Sequence, residues 1–252
     1  MTPSLGIVVP AFHPDTERLA RFVRALDETL SPAVIRIELD DADAATREVL
    51  AELPAELNAI PYRRGKGAAI TAGFEALDTD RLAFADADGA TPADSVADVV
   101  AALDGADLAV GSRRHPDATV LGHQTFARRY LGDGFAWLAR RLLDVDLYDY
   151  QCGAKALTRD AWGRVREHLY EPGFAWDVEL VAMAGALGLR VAEVPVTWED
   201  APGSTVSPVS TAVSLARALL AARHRAKRLK RSRVHDALAA TREEPTALVH
   251  RK

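Results

Sequence analysis

Short apolar runs and longer stretches with helical spacing alternate through the first half of the chain. Runs of strand length cover residues 5–9, 34–39, 59–62, 82–85 and 107–111. Apolar residues recur at helical intervals between them, at 15–30, at 46–53, from the turn 65–67 to residue 77, and at 95–103. This order predicts an α/β fold with a mostly parallel central sheet and helices on both faces.

The second half of the chain is less regular. Its pattern predicts a long amphipathic helix at 125–143, helices at 160–168 and 176–187, a strand at 191–198 and a last helix at about 207–231. A loop at 149–155 separates the first two of these helices. Polarity without periodicity follows from Ser232. We therefore expect one domain over residues 1–231 and a flexible tail over 232–252.

Two carboxylates stand directly after the apolar run 82–85. Residues i and i+2 of an extended chain point to the same side, so Asp86 and Asp88 can face one point beyond the end of the strand. Carboxylate oxygens suit Mg²⁺ or Mn²⁺, which keep further positions for water and substrate phosphates. Of the four Asp-x-Asp triplets in the sequence, this one combines a preceding apolar strand with a following glycine, Gly89. It predicts a metal site that holds a diphosphate.

Two further turns have the composition of nucleotide sites. Gly65-Lys66-Gly67 precedes a helix, where backbone N–H groups can bind a phosphate, although a simple basic turn is an equal alternative. Asp40 and Asp41 end the second predicted strand, where a carboxylate can accept hydrogen bonds from a base or a ribose. A helix cap is the competing interpretation of these two acids.

Composition limits the cellular compartments and the kinds of binding partner that fit this sequence. No apolar run reaches the length of a membrane span, and the chain enters its first strand too early for a signal peptide. The single cysteine, Cys152, fits a reducing cytoplasm. The formal net charge of −5 hides a cluster of cations without an acid at 217–233.

That basic stretch follows apolar residues at helical spacing. The combination fits a helix that attaches the protein to an anionic membrane surface, or equally a helix docked on the core with a solvated basic end. No aromatic residue is interleaved with the cations, so we expect no nucleic-acid partner. The sequence thus predicts a cytoplasmic protein, peripheral on the inner face of the cell membrane.

Several motifs occur together in a characteristic order. They are Val8-Val9-Pro10, Asp40-Asp41, Gly65-Lys66-Gly67-Ala68-Ala69, Asp86-Ala87-Asp88-Gly89-Ala90-Thr91, Gly111-Ser112-Arg113, Gln151-Cys152-Gly153-Ala154-Lys155 and Trp176-Asp177-Val178-Glu179-Leu180. The series resembles the family 2 glycosyltransferases of the nucleotide-diphosphosugar (GT-A) fold. Within that family it is most similar to the dolichyl-phosphate β-glucosyltransferases, and it also resembles the dolichyl-phosphate mannose synthases.

The resemblance implies a metal-dependent, inverting transfer of a hexose to dolichyl or polyprenyl phosphate, with glucose from UDP-glucose as the expected donor. GDP-mannose as donor, a soluble or protein acceptor, and an inactive nucleotide-sugar binder are the alternatives. A lipid monophosphate is largely ionised at neutral pH, so the acceptor needs positioning more than deprotonation.

The resemblance also assigns roles to single residues. The nucleotide-sugar site would comprise Pro10, Asp40, Asp41, Lys66, Gly67 and Asp86, with Pro10 and Asp41 beside the uracil and ribose. Asp86 and Asp88 would hold the metal, with Asp88 as the principal ligand. Arg113 would face the phosphates as part of the catalytic set.

The resemblance also implies which residues bind the acceptor and which could act as a base. Arg128, Arg129 and Lys155 would hold the acceptor phosphate, although the two arginines also fit a solvated helix face. Asp149 and Asp177 are the candidate bases, and Asp177 equally fits a helix cap. The segment Phe12-His13-Pro14 departs from the family pattern, so the Glu that often binds ribose is missing or is replaced by Asp15.

Overall fold

The computed structural model describes residues 2–121, 126–199, 208–232, 235 and 245–251, with side chains throughout except at 126–132 and 208–213. Its strands are β1 (Leu5–Phe12), β2 (Val34–Asp40), β3 (Glu56–Ile60), β4 (Arg81–Ala85), β5 (Leu108–Ser112), β6 (Thr119–Leu121), β7 (Ala154–Thr158), β8 (Val191–Pro195) and β9 (Thr197–Glu199). Its helices are α1 (Thr16–Leu30), α2 (Ala44–Ala51), α3 (Lys66–Ala76), α4 (Ala93–Ala101), α5 (Phe126–Leu142), α6 (Arg159–Val165), α7 (Trp176–Ala186) and α8 (Pro208–Leu229).

The central sheet has the strand order β3-β2-β1-β4-β7-β5-β8, and β6 pairs with β9 in a small second sheet. Neighbouring strands run parallel except at β7, which is antiparallel to both β4 and β5. The predicted mostly parallel sheet is therefore confirmed. The sequence pattern predicted only a loop entering 156–157 where β7 lies, and β6 was not predicted.

Alternation along the strands divides the core between the two faces of the sheet. Val8 and Phe84 belong to one buried cluster, together with residues of α3, α6, α7 and α8. Ile7 and Ala85 belong to the other, with residues of α1 and α4. Burial on both faces explains why these strands are apolar without interruption.

The end of β1 differs from the prediction. Pro10 was expected to break the strand, yet β1 continues to Phe12 and pairs with β2 over that length. Pairing with β4 ends at Val8, so the last residues of β1 have a free edge on that side. A proline without an N–H group is tolerated at such an edge.

The C-terminal region is docked more closely than the sequence suggested. In α8, Leu219, Ala222 and Ala226 are buried against the domain. The helix also pairs Arg225 with Glu179 and Lys227 with Asp144, and Lys230, which follows the helix, pairs with Asp144 as well. These internal ion pairs support the docked-helix alternative.

The expectation of a loose tail from Ser232 onward is wrong for residues 245–251. They form a turn in which Leu248 is buried and its N–H group donates to the Leu169 carbonyl. The apolar residues Ala247 and Leu248 pack on the domain, a local feature that the overall polarity of the tail obscured.

Candidate active site

The carboxyl ends of three parallel strands meet at one cleft. β1 passes through Pro10 and ends at Phe12, β2 ends at Asp40, and Asp86 follows β4, as expected for ligand sites of open α/β sheets. The cleft has a volume of about 260 Å³ and is lined by these residues together with Lys66 and Asp88. Phe12, Arg63 and Phe174 complete its wall.

Asp86 and Asp88 both line this cleft, as their spacing predicted. The Asp86 side chain is 37% exposed, and its Oδ1 lies 2.9 Å from Lys66 Nζ. Asp88 is exposed, and its Oδ1 accepts a hydrogen bond from the Ala90 N–H group at 3.0 Å. A side chain at position 153 would strike the Asp86 carboxylate, so Gly153 allows the close approach of the loop before β7.

Electrostatics make the pair suitable for a cation. Burial raises the pKa of Asp86; Lys66 opposes this shift, and the neighbouring charges of Asp88 and Asp177 reinforce it. Crowded carboxylates repel each other less when a cation lies between them. No group of three acidic, histidine or cysteine side chains suited to a metal occurs in the described ranges. Because both carboxylates line an open cleft, they fit an ion whose other ligands are water and substrate oxygens.

A buried charge network lies below the cleft. Lys66 Nζ is 3.0 Å from Asp177 Oδ2, and Lys155 Nζ is 2.7 Å from Asp177 Oδ1. Burial raises the pKa of Asp177, but the two ammonium groups outweigh this effect and lower it below its usual range. Asp177 is thus an ionised carboxylate with both oxygens engaged, and it does not cap α7, whose cap is Ala175 without a side-chain hydrogen bond.

Lys155 is placed differently from the expectation. Its side chain is fully buried, and its ammonium group donates to Asp177 and to the Cys152 carbonyl at 2.8 Å. This placement does not support direct contact with an acceptor phosphate. Arg128 and Arg129 lie within α5, but their side chains are outside the part that the structure describes.

Arg113 and Asp149 form a second buried pair. Nε of Arg113 is 2.6 Å from Oδ2 of Asp149, and its Nη2 is 3.0 Å from Oδ1. Burial raises the pKa of Asp149, but Arg113 and the Gln151 N–H group outweigh it and lower the value to about 2. Asp149 is consequently a weak base. The Arg113 side chain is 24% exposed and can still meet a ligand.

Asp40 anchors the basic turn. Its Oδ2 accepts hydrogen bonds from the N–H groups of Arg64 and Gly65 at 2.6 and 3.1 Å. The N–H group of Ala68, in the first turn of α3, donates to the Pro172 carbonyl. One N–H group of the first turn of α3 is therefore used inside the protein, and the turn places Lys66 at the cleft.

Three other sequence-predicted residues lie around this turn. Gly67 is buried, and a methyl group there would meet the Glu171 carbonyl and Trp176 Cβ, each at 2.5 Å. Asp41 is exposed with a φ of 52° and lies outside the cleft lining. Asp15 caps α1 by accepting the Arg18 N–H group, so the geometry gives no support to its role as a ribose ligand.

Sequence reasoning assigned no role to three buried or half-buried acids. Glu38 is fully buried and pairs with Arg36 and Arg64. Glu193 accepts the N–H groups of Tyr148 and Asp149, which fixes the loop before β7. Glu179 accepts two backbone N–H groups of the loop before α7. An acid within an apolar strand or helix was the signal available for each.

The family comparison agrees with this architecture. The family model described as Glycosyl transferase family 2 matches residues 6–161, more than half of the sequence. The chain belongs to this family. It is a glycosyltransferase of the GT-A fold.

Several curated proteins are similar in sequence to this chain. The chain is 29% identical over 259 residues to the dolichyl-phosphate β-glucosyltransferase of Mus musculus, covering 92% of this chain and 80% of that protein. It is 32% identical to the Homo sapiens enzyme of that name, covering 62% and 51%. Glycosyltransferase AglD of Haloferax volcanii is 31% identical over 77% of this chain, which spans only 33% of that relative. The chain thus spans between a third and four fifths of these relatives.

Solved structures share the fold. Glucosyl-3-phosphoglycerate synthase of Mycobacterium tuberculosis, in complex with Mn²⁺, UDP and phosphoglyceric acid, has a TM-score of 0.66 at 14% identity. The likeness covers 88% of this chain and 79% of the synthase. Within the described ranges, no helix is both long and apolar enough to cross a membrane.

Proposed function

We propose that this glycosyltransferase moves glucose from UDP-glucose to dolichyl or polyprenyl phosphate, with inversion at the anomeric carbon. The observation that carries the proposal is the open acidic pair, Asp86 and Asp88, in a cleft at the ends of parallel strands. The relatives named dolichyl-phosphate β-glucosyltransferase support a glucosyl group as the cargo and dolichyl phosphate as the acceptor.

Asp86 and Asp88 would hold Mg²⁺ or Mn²⁺ against the diphosphate. When bound, such an ion stabilises the charge that develops on the departing UDP. The fold neighbour solved with Mn²⁺ and UDP is consistent with this requirement. Lys66, which lies 2.9 Å from Asp86, keeps one carboxylate oriented toward the cleft and adds positive charge at its floor.

The nucleoside would lie along the ends of β1 and β2. Pro10 and Phe12 line that side of the cleft, and the Arg63 guanidinium lies 4.2 Å from the centre of the Phe12 ring. An aromatic ring beside a cation offers a planar surface for a base. Asp41 stands beyond this wall, where its exposed carboxylate can reach a ribose hydroxyl.

Arg128 and Arg129 of α5 would hold the acceptor phosphate, and Arg113 would face the phosphates of the donor. The lowered pKa of Asp149 and the saturated carboxylate of Asp177 make both acids poor proton acceptors. An acceptor that is already ionised suits this arrangement, because it attacks without losing a proton. Asp149 orients Arg113, and Asp177 holds Lys66 and Lys155.

We further propose a peripheral position on the cytoplasmic face of a membrane. The cations of α8 provide attraction to anionic lipid, although Arg225, Lys227 and Lys230 are paired within the domain. Exposed Arg217 and Arg231 remain on the surface. The attraction is therefore expected to be weaker than the formal charge suggests.

A donor panel tests the proposal. The protein is incubated with Mn²⁺ and polyprenyl phosphate, and separately with UDP-glucose or GDP-mannose carrying a radiolabel. We expect labelled lipid from UDP-glucose, and its loss on chelation of the metal. Label transferred from GDP-mannose alone would replace the donor assignment, and transfer only to water-soluble acceptors would replace the lipid. UDP binding without any transfer would contradict the proposed activity altogether.

A further inference from the structure

One loop connects the nucleotide cleft to the C-terminal region. It comprises residues 169–174, called here the cleft loop, and it ends at Phe174, which lines the cleft and is 55% exposed. Near that end, the Pro172 carbonyl accepts the Ala68 N–H group at 3.1 Å. A side-chain carbon at Gly65 would lie 2.5 Å from the same carbonyl. The loop therefore packs directly on the turn that presents Lys66.

The start of the cleft loop is held by Glu179. Its Oε2 accepts the N–H groups of Tyr170 and Glu171, each at 2.7 Å, while the residue is 1% exposed. Arg225 of α8 pairs with Oε1 of the same carboxylate and lies 4.7 Å from the centre of the Tyr170 ring. A buried carboxylate needs such a partner, so the loop, α7 and α8 are joined at one point.

The C-terminal turn provides a second attachment. The Leu248 N–H group donates to the Leu169 carbonyl, and Arg251 Nη2 donates to the Tyr170 carbonyl, each at 2.8 Å. These bonds attach the start of the cleft loop to residues 248–251. None of the residues that make them lines the cleft.

We infer that Glu179 and Arg225 are positioning residues that preorganise the Phe174 side of the donor site, with the C-terminal turn as a second support. They act through the cleft loop and do not touch the donor. A loop that is ordered before binding removes an entropic penalty from association, so the effect falls on donor affinity. The role of the loop in donor binding rests on the proposed function, whereas its attachment to α8 does not.

The test compares Arg225→Met with Lys227→Met. Both substitutions remove one cation from α8 and break one internal ion pair, but Lys227 pairs with Asp144, away from the loop. Hydrogen exchange of the Tyr170 and Glu171 amides reports on the loop without any substrate. Steady-state kinetics with UDP-glucose and Mn²⁺ then separate KM from kcat.

For Arg225→Met we expect about tenfold faster exchange at these two amides, which corresponds to local opening of the loop. We also expect the KM for the donor to rise about fivefold or more with kcat within about twofold, as preorganisation requires. Lys227→Met should change neither quantity, and Arg225→Lys should restore most of the protection.

Equal effects of Arg225→Met and Lys227→Met on exchange would overturn the inference, since they would indicate a general loss of α8 docking. Faster exchange with an unchanged KM would also overturn it, because the loop would then be unconnected to the donor. If Arg225→Met does not fold, Arg251→Met serves instead, since Arg251 is exposed and holds the Tyr170 carbonyl. Failure of the wild-type protein to use or bind UDP-glucose contradicts the proposed function. The hydrogen-exchange result does not depend on that function, because it is measured without substrate.

Discussion

Two sets of acids in the site lie in opposite environments. Asp86 and Asp88 form an open rim: the side chain of Asp86 is 37% exposed, and Asp88 is exposed. Asp149 and Asp177 form a floor, each with a side chain only 2% exposed and each paired with cations. Carboxylates of the rim are available to a ligand, whereas those of the floor fix the positions of Arg113, Lys66 and Lys155.

Because of this difference, we expect substitutions in the rim to lower activity and substitutions in the floor to lower the stability of the fold. A substitution of Asp88 removes a charge that the fold does not require, because that side chain is exposed to water. A substitution on the floor leaves buried cations without a counter-charge, which is strongly unfavourable in a medium of low polarity. The same chemical change, Asp to Asn, should therefore have opposite consequences in the two regions.

The largest effect is expected for Asp177→Asn. It leaves two buried ammonium groups with only a neutral amide between them, and breaking such an arrangement destabilises a protein by about 3–5 kcal/mol. Urea unfolding should report this loss of stability. Asp146→Asn, at a side chain that is 86% exposed, is the control and should unfold like the wild type. Similar midpoints for the two variants would contradict the assignment of the floor.

Asp88→Asn should act on turnover instead. Loss of a metal ligand removes about 3 kcal/mol of transition-state stabilisation, or about a hundredfold in rate. Stability should change by no more than about 0.5 kcal/mol, as at other surface positions. The Asn side chain keeps an oxygen for the Ala90 N–H group, so the turn is preserved. Full activity together with unchanged metal dependence would show that the rim is not the metal site.

Asp149→Asn should reveal a pH-dependent contribution of the Asp149 carboxylate to the free energy of unfolding. The pKa of Asp149 falls from 3.8 to about 2 on folding, a shift that stabilises the protein by about 2 kcal/mol at neutral pH. Because the folded-state pKa is the lower one, this contribution is complete above about pH 5 and is lost as the pH falls, with about half gone at pH 3. The difference in unfolding free energy between wild type and variant should shrink accordingly. A difference that stays constant from pH 6 to pH 3 would exclude this origin.

The smallest effect is expected at the start of α3. Gly67→Ala places a methyl group 2.5 Å from both the Glu171 carbonyl and Trp176 Cβ. The strain should outweigh the better helix propensity of alanine and destabilise the protein by about 1 kcal/mol. Gly163→Ala, in α6 with no neighbour within 4 Å, is the matched control and should be neutral or stabilising. Thermal unfolding of both variants measures the contrast.

Much of the first half of the fold and the rim of the site could be predicted from the sequence. The alternating elements before Ser112 lie close to their predicted positions, because local apolar periodicity reports which face of each element is buried. Asp86 and Asp88 were found in the same way, since a strand that ends in two acids at i and i+2 presents both on one side. Predictions of nucleotide, metal and acceptor contacts for individual residues remain to be tested.

The floor could not be predicted in this way. Lys66 meets Asp177 across 111 positions of sequence, and Lys155 meets it across 22. No local pattern indicates that these ammonium groups share one carboxylate, or that Lys155 points into the core. The antiparallel insertion of β7 between β4 and β5 brings Lys155 to that place.

By itself, then, the sequence determined the elements of the parallel sheet and the exposed acids at its edge, because both follow from periodicity within a few residues. Only the tertiary structure decided which acids are accessible to a ligand and which are paired with buried cations. It also attached residues 248–251 of the polar C-terminal segment to the cleft loop. The physical reason is that burial and charge pairing depend on neighbours that are distant in sequence, and those neighbours are fixed only when the sheet and its helices assemble.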